Sequence, residues 1–138
     1  MPQSQAIIHT CTDFRIQKPL QQFIEGTLNL YAVDLKTDVG GAKNIFVEGP
    51  IREYIFDNFT HSIKDHQAER IILINHTDCS AYGGAGAFVN QEAEIHEHEI
   101  QLRHAVSDVK ARFPDKTVEA YLIVLGQMNE PVTVKKVI

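Results

Sequence analysis

Tryptophan is absent from this 138-residue chain, and cysteine and methionine occur only twice each. Two distant cysteines cannot build the disulfide framework of a small secreted domain, so they read better as thiols or metal ligands. No apolar run approaches the length a bilayer requires. The opening MPQSQAIIHTC has no basic stretch followed by a long apolar one, so a cytoplasmic location is expected. Positive charge is in deficit: 13 Lys and Arg against 18 Asp and Glu give a formal charge of -5. That balance argues against nucleic acid or an anionic membrane as the main partner. Repeats, linkers and low-complexity segments are missing too. The hydrophobic share of 43% and charged share of 22% suit one globular domain, expected to span residues 1–138.

The apolar residues fall into two periods. AIIHT (6–10) and RIILIN (70–75) are short, nearly continuous apolar runs that read as buried strands. LYAVDL (30–35) and TVEAYLIVLG (117–126) are two further strands, and VTVKKVI (132–138) a short fifth at an edge. Between them lie helical spacings. Ile16, Leu20, Phe23, Ile24 and Leu28 predict a helix over 16–29; Ile51, Ile55, Phe59 and Ile63 predict one over about 49–67, with Pro50 at its start. Ile95, Leu102, Val106, Val109 and Phe113 predict a long helix over about 90–113, with Glu92 and Glu94 at its positive end. Alternation of strand and helix predicts an α/β domain: a mostly parallel sheet of four to five strands, with helices on both faces.

Chemistry-bearing residues collect where two of these strands run out. CTDFR (11–15) follows the first strand, and HTDC (76–79) ends the third, with YGGAGAF just beyond. In an extended segment Cys11, Asp13 and Arg15 share one face. The first and third strands of a doubly wound sheet are often neighbours, and the crevice opens between their C-terminal ends. Two thiolates and one imidazole form a donor set that zinc accepts, with an open fourth position if the site is catalytic.

With these two motifs in this order, the sequence resembles the β-class carbonic anhydrases. The likeness runs from about residue 6 to 125. It implies that Cys11, His76 and Cys79 bind one zinc ion per chain and that Asp13 and Arg15 form the catalytic carboxylate–guanidinium pair. The implied reaction is reversible hydration of CO2 to bicarbonate by zinc-bound hydroxide. If Asp13 leaves Arg15, its carboxylate becomes a fourth ligand and closes the site. The resemblance also implies a homodimer or higher homo-oligomer. The family pattern Arg-Asn-Ala-Gly after the second strand reads Thr37-Asp38-Val39-Gly40 here, so the arginine is missing unless Lys36 or Lys43 substitutes for it. Phe14 stands where a small polar residue is usual, Asn75 and Ser80 where glycines are usual, and few residues precede the first strand. Phe14, Gly40, Gly41, Ser80 and Tyr82 are the expected pocket lining, with Phe88 a further apolar wall.

Two other readings compete. A catalytically silent or redirected protein would have a closed site of two cysteines, one histidine and one aspartate, or would act on a small linear molecule such as COS or CS2. A thiol redox protein would use Cys11 and Cys79, but the chain has no C-x-x-C and His76 would be unexplained. His96 and His98 stand two apart on a helix and do not face each other, so they read as an exposed pair rather than a second metal site. His9 is expected to be structural, pointing to the opposite face from Cys11. His61, His66 and His104 fit solvated helix faces, and Asp78 is expected to cap the turn that follows it.

Overall fold

The computed structural model describes residues 2–126 and 130–138. Its elements follow in the order β1 (Ala6–Thr10), α1 (Gln17–Gly26), β2 (Val33–Thr37), α2 (Lys43–Phe46), α3 (Pro50–His66), β3 (Arg70–His76), α4 (Gln91–Arg112), β4 (Thr117–Val124) and β5 (Thr133–Lys136). The five strands form one sheet in the order β2-β1-β3-β4-β5. The first four are parallel, and β5 pairs antiparallel with β4 at the edge, in keeping with the mostly parallel sheet that the sequence predicts.

The twofold period of the strands divides the core in two. Ile7, Ile71, Leu73 and Leu122 face Ile55, Phe56 and Phe59 of α3 and Leu102, Val106 and Val109 of α4. Their neighbours Ile8, Ile72, Ile74 and Ile123 face Ile16, Leu20, Phe23 and Ile24 on the α1 side. Helices therefore cover both faces, and β1, β3 and β4 are buried from either side, which is why their sequences are almost continuously apolar.

Local chemistry sets the ends of the helices. Asn90 accepts the Ala93 N–H at 2.8 Å and caps α4, whose first turn carries Glu92 and Glu94 and whose last carries Lys110 and Arg112. Pro50 opens α3, and Gln67 closes it in a left-handed conformation. The helix predicted over 16–29 stops at Gly26, because the Thr27 and Leu28 N–H groups both turn back to the Phe23 carbonyl. The second strand starts at Val33 rather than residue 30: the Tyr31 and Ala32 N–H groups bond the Gln5 side chain instead of a neighbouring strand. The stretch read as a turn-rich connection contains the short helix α2, anchored by buried Ala42 and Ile45. Ile51 does not join the buried face of α3. It is 63% exposed beside Val47 and Pro50, and Phe56 takes its place in the core.

Phe59 is fully buried and meets Phe56, Phe113 and His9 edge-on or tilted. Phe59→Ala is expected to cost about 3 to 5 kcal/mol of folding stability. Denaturant unfolding followed by circular dichroism measures this, and a loss under about 1 kcal/mol would contradict the packing described.

Candidate metal centre

The parallel register of β1 and β3 matches Thr10 with Ile74, so both chains leave the sheet side by side. Cys11 follows the end of β1, His76 ends β3, and Cys79 comes three residues later. The Sγ atoms of Cys11 and Cys79 are 4.0 Å apart. Ligand atoms of Cys11, His76 and Cys79 all lie within 4.8 Å of one another, and all three residues are buried. Two sulfurs on one tetrahedral zinc would stand about 3.8 Å apart, so the observed separation matches such an ion. The cysteines form no disulfide.

The imidazole could serve the same ion. His76 Nδ1 lies 2.7 Å from the Thr77 carbonyl, which can only accept, so Nδ1 carries the proton. Nε2 is left with its lone pair, buried and without a hydrogen-bond partner among the described residues. A metal cation satisfies such an orphaned nitrogen, and a carbonyl on the other ring nitrogen is the usual outer support of a histidine ligand. Thr77 is pinned in turn to β4 and its extension, by its N–H on the Ile123 carbonyl and its hydroxyl on the Leu125 N–H.

Each sulfur also meets backbone donors. The Gly40 N–H points at Cys11 Sγ at 3.4 Å, and the N–H groups of Ala81 and Tyr82 face Cys79. Without metal one sulfur can donate to the other, and with Cys11 as acceptor this contact lowers the pKa of Cys11 and raises that of Cys79. For His76, burial is the largest influence and opposes protonation, but Cys11, the Thr77 carbonyl and Asp13 together outweigh it and raise the pKa.

Asp13 and Arg15 do form a pair, by a different route from the one expected. The chain is not extended through residue 15. It turns at Asp13–Ile16, and the Arg15 N–H itself donates to Asp13 Oδ1 at 2.8 Å. The guanidinium then folds back on the carboxylate, with Nε to Oδ1 at 3.0 Å and Nη2 to Oδ2 at 2.8 Å. Its remaining donors reach the Asp78 carboxylate and carbonyl at 2.8 and 2.9 Å. The bond to Arg15 holds the Asp13 carboxyl down at about 2. Asp13 Oδ2 stands 3.8 Å from His76 Nε2, at the edge of the three-ligand set but outside it.

Asp78 does more than cap a turn. Its Oδ1 accepts the Ala85 N–H, as a cap should, while its Oδ2 holds Arg15. Its own N–H donates to Glu94, whose carboxylate lies buried in the first turn of α4. Neither lysine takes the place of the missing arginine. Lys36 pairs with Asp38, and Lys43 bonds the Ala81 carbonyl beneath the Tyr82 ring.

The expected pocket residues separate. Gly40 and Gly41 lie against the site with positive φ of 97° and 52°. A Cβ on Gly40 would come within 2.9 Å of Ala81 Cβ. Tyr82 is half-buried and Ser80 exposed in the turn after Cys79. Phe14 does not form a wall: it is 86% exposed, because the turn at Asp13 throws it outward. The exposed pair of histidines is also corrected. His96 is exposed, but His98 is completely buried, its ring tilted against Tyr82 with centroids 4.3 Å apart and bonded to Asn75. The missed signal was spacing, since Glu94, His98, Leu102 and Val106 stand four apart and share the buried stripe of α4. His9 is structural as expected. It bonds Asp38 at 3.1 Å and packs on Phe59, across the sheet from Cys11.

Comparison with known proteins agrees with this fold. The fold is similar to solved β-carbonic anhydrases. It matches isoform I from Trichomonas vaginalis at TM-score 0.63 and 15% identity, covering 96% of this chain and 82% of that one. The carbonic anhydrase of Streptococcus mutans gives 0.64 and 15%, covering 99% and 82%. A tetrameric β-carbonic anhydrase of Sordaria macrospora gives 0.67 and 12%, covering 99% and 81%. No functionally curated protein matches the sequence. A family model described as "Putative carbonic anhydrase" matches residues 1–135, and with the site and fold above it establishes that this chain belongs to that carbonic anhydrase family.

Proposed function

We propose that the protein is a zinc enzyme that hydrates CO2 reversibly to bicarbonate. One observation carries the reading: a buried Cys-His-Cys set lies beside a carboxylate whose two oxygens are both held by an arginine. Cys11, His76 and Cys79 would hold the zinc, leaving the fourth position for water. Bound zinc supplies Lewis acidity, which allows water to ionise near neutral pH. Two thiolates give the metal more charge than imidazoles do, so ionisation and activity shift to the alkaline side.

Asp13 is the hydrogen-bond acceptor that would orient the water in this scheme. Its depressed pKa keeps it ionised at every working pH, and Arg15 directs it away from the ligand position. Asp78 takes two more donors of Arg15 and so keeps the guanidinium from swinging out. CO2 has no charge and few polar contacts to offer, so the backbone of Gly40 and Gly41 and the Tyr82 turn would suffice as walls for it. No helix among the described residues is long and apolar enough to cross a membrane, and we place the enzyme in the cytoplasm. We also propose a homo-oligomer, since the similar Sordaria macrospora enzyme is tetrameric.

The missing arginine after β2 favours a second reading, a silent zinc protein or a hydrolase of COS or CS2. Metal analysis is expected to find about one zinc per chain in the native protein and almost none in Cys79→Ser. A zinc-free native protein would overturn both readings. Stopped-flow CO2 hydration should accelerate over buffer and rise between neutral and alkaline pH, and no acceleration at either pH would select the second reading. Arg15→Leu should keep the zinc while lowering the hydration rate by roughly 100-fold, because the freed Asp13 no longer stands where it orients the water and can close the site as a fourth ligand.

A further inference from the structure

We propose that Asn75, oriented by His98 and Tyr82, is a positioning residue that locks the Gly40–Ala42 loop onto Cys11 and so sets how strongly that sulfur donates to a bound metal. The inference rests on metal binding at Cys11, not on CO2 turnover.

The orientation of the Asn75 amide follows from its partners. Ala42 can only donate, and its N–H reaches one atom of the amide at 2.9 Å, so that atom is Oδ1. The amide nitrogen then faces Tyr82 Oη at 3.0 Å and His98 Nδ1 at 3.1 Å, donating one hydrogen to each. His98 Nδ1 must therefore accept, which requires a neutral ring with its proton on Nε2. Burial, and then nearby His76, lower the His98 pKa to about 4, so the ring stays neutral at physiological pH. Asn75 and His98 are both buried, at 2% and 0% exposure.

The other end of the lock is the loop after β2. Gly41 passes so close that a Cβ there would stand 2.7 Å from Asn75 Oδ1 and 3.6 Å from the Cys11 N. Asn75 fills the space that a side chain on Gly41 would need. Ala42, held by Asn75, fixes the backbone two residues before it, where the Gly40 N–H meets Cys11 Sγ. Contacts thus run from His98 through Asn75, Ala42 and Gly40 to the sulfur. An N–H···S bond withdraws charge from a thiolate, so this chain of contacts lowers the electron donation of Cys11. Partners beyond the ligands commonly tune metal sites in this way.

The test uses the chain loaded with cobalt(II) in place of zinc, reading the sulfur-to-cobalt charge-transfer band. Asn75→Ala and His98→Leu should move the band to longer wavelength, because a thiolate without its N–H donor gives up charge more readily. His98→Asn keeps an acceptor near the Nδ1 position and should restore the native band. A purely structural role would lower stability and leave the band in place, and an unmoved band in Asn75→Ala and His98→Leu overturns the proposal. If either variant fails to fold, Tyr82→Phe decides, since it removes one acceptor from the Asn75 amide; a smaller shift in the same direction supports the lock, and none overturns it. A native protein with no charge-transfer band overturns the metal reading itself, a result distinct from an unmoved band in the variants.

Discussion

Parallel pairing of β1 with β3 is the constraint on which the site depends. Cys11 and Cys79 are far apart in sequence, and they meet only because Thr10 and Ile74 are paired in neighbouring strands. That register rests on cores on both faces of the sheet. A slip of β1 by one residue would send Ile7 to the α1 side and Ile8 to the opposite one, moving that strand's buried side chains to the wrong layer. The candidate metal ligands are therefore positioned by hydrophobic packing, and their geometry is as stiff as the sheet.

Around this frame the polar groups are arranged in linked pairs. Arg15 binds Asp13 and Asp78 together, Asp78 is tied to Glu94 at the start of α4, and His76 is held by Thr77, which is tied to β4. His76, Thr77 and Glu94 are buried, where an unpaired polar group is costly, so for them each partner removes a penalty as well as fixing a direction. One consequence is that α4, remote from Cys11 in sequence, supports the site at two places: Glu94 holds Asp78, and His98 holds Asn75. The helix helps to position the ligand-bearing loop as well as to cover the sheet.

The β2 loop shows how a departure from the family pattern can be accommodated. Asn75 takes the place of a small residue and needs a neighbour without a side chain, which Gly41 supplies. Asp38, where the usual pattern has asparagine, bonds buried His9 and Lys36 and ties the loop back to β1 through the Thr10 carbonyl. The loop is fastened at both ends without the usual arginine.

Much of this was legible in the chain. The apolar periods revealed the succession of strands and helices, two-sided burial and the extent of the long helices, because hydrophobic spacing is set by backbone geometry. The motifs CTDFR and HTDC located Cys11, Asp13, Arg15, His76 and Cys79, because ligand chemistry restricts the residue types. The burial of His98 was legible too, from its place four residues before Leu102, but a histidine on a charged helix invites the solvated reading. The turn that throws Phe14 outward was not legible, since it depends on the Arg15 N–H finding the Asp13 carboxylate.

The sequence by itself determined the fold class, the parallel core and the candidate metal-ligating set, since these follow from periodicity and from the short list of side chains that bind a borderline metal. Tertiary structure alone decided the partners: Arg15 with Asp78, Glu94 with the Asp78 backbone, Asn75 with His98 and the β2 loop. Such contacts join side chains whose separation in sequence bears no relation to their distance in space, and whether each is satisfied depends on angstrom-level packing that no linear pattern encodes.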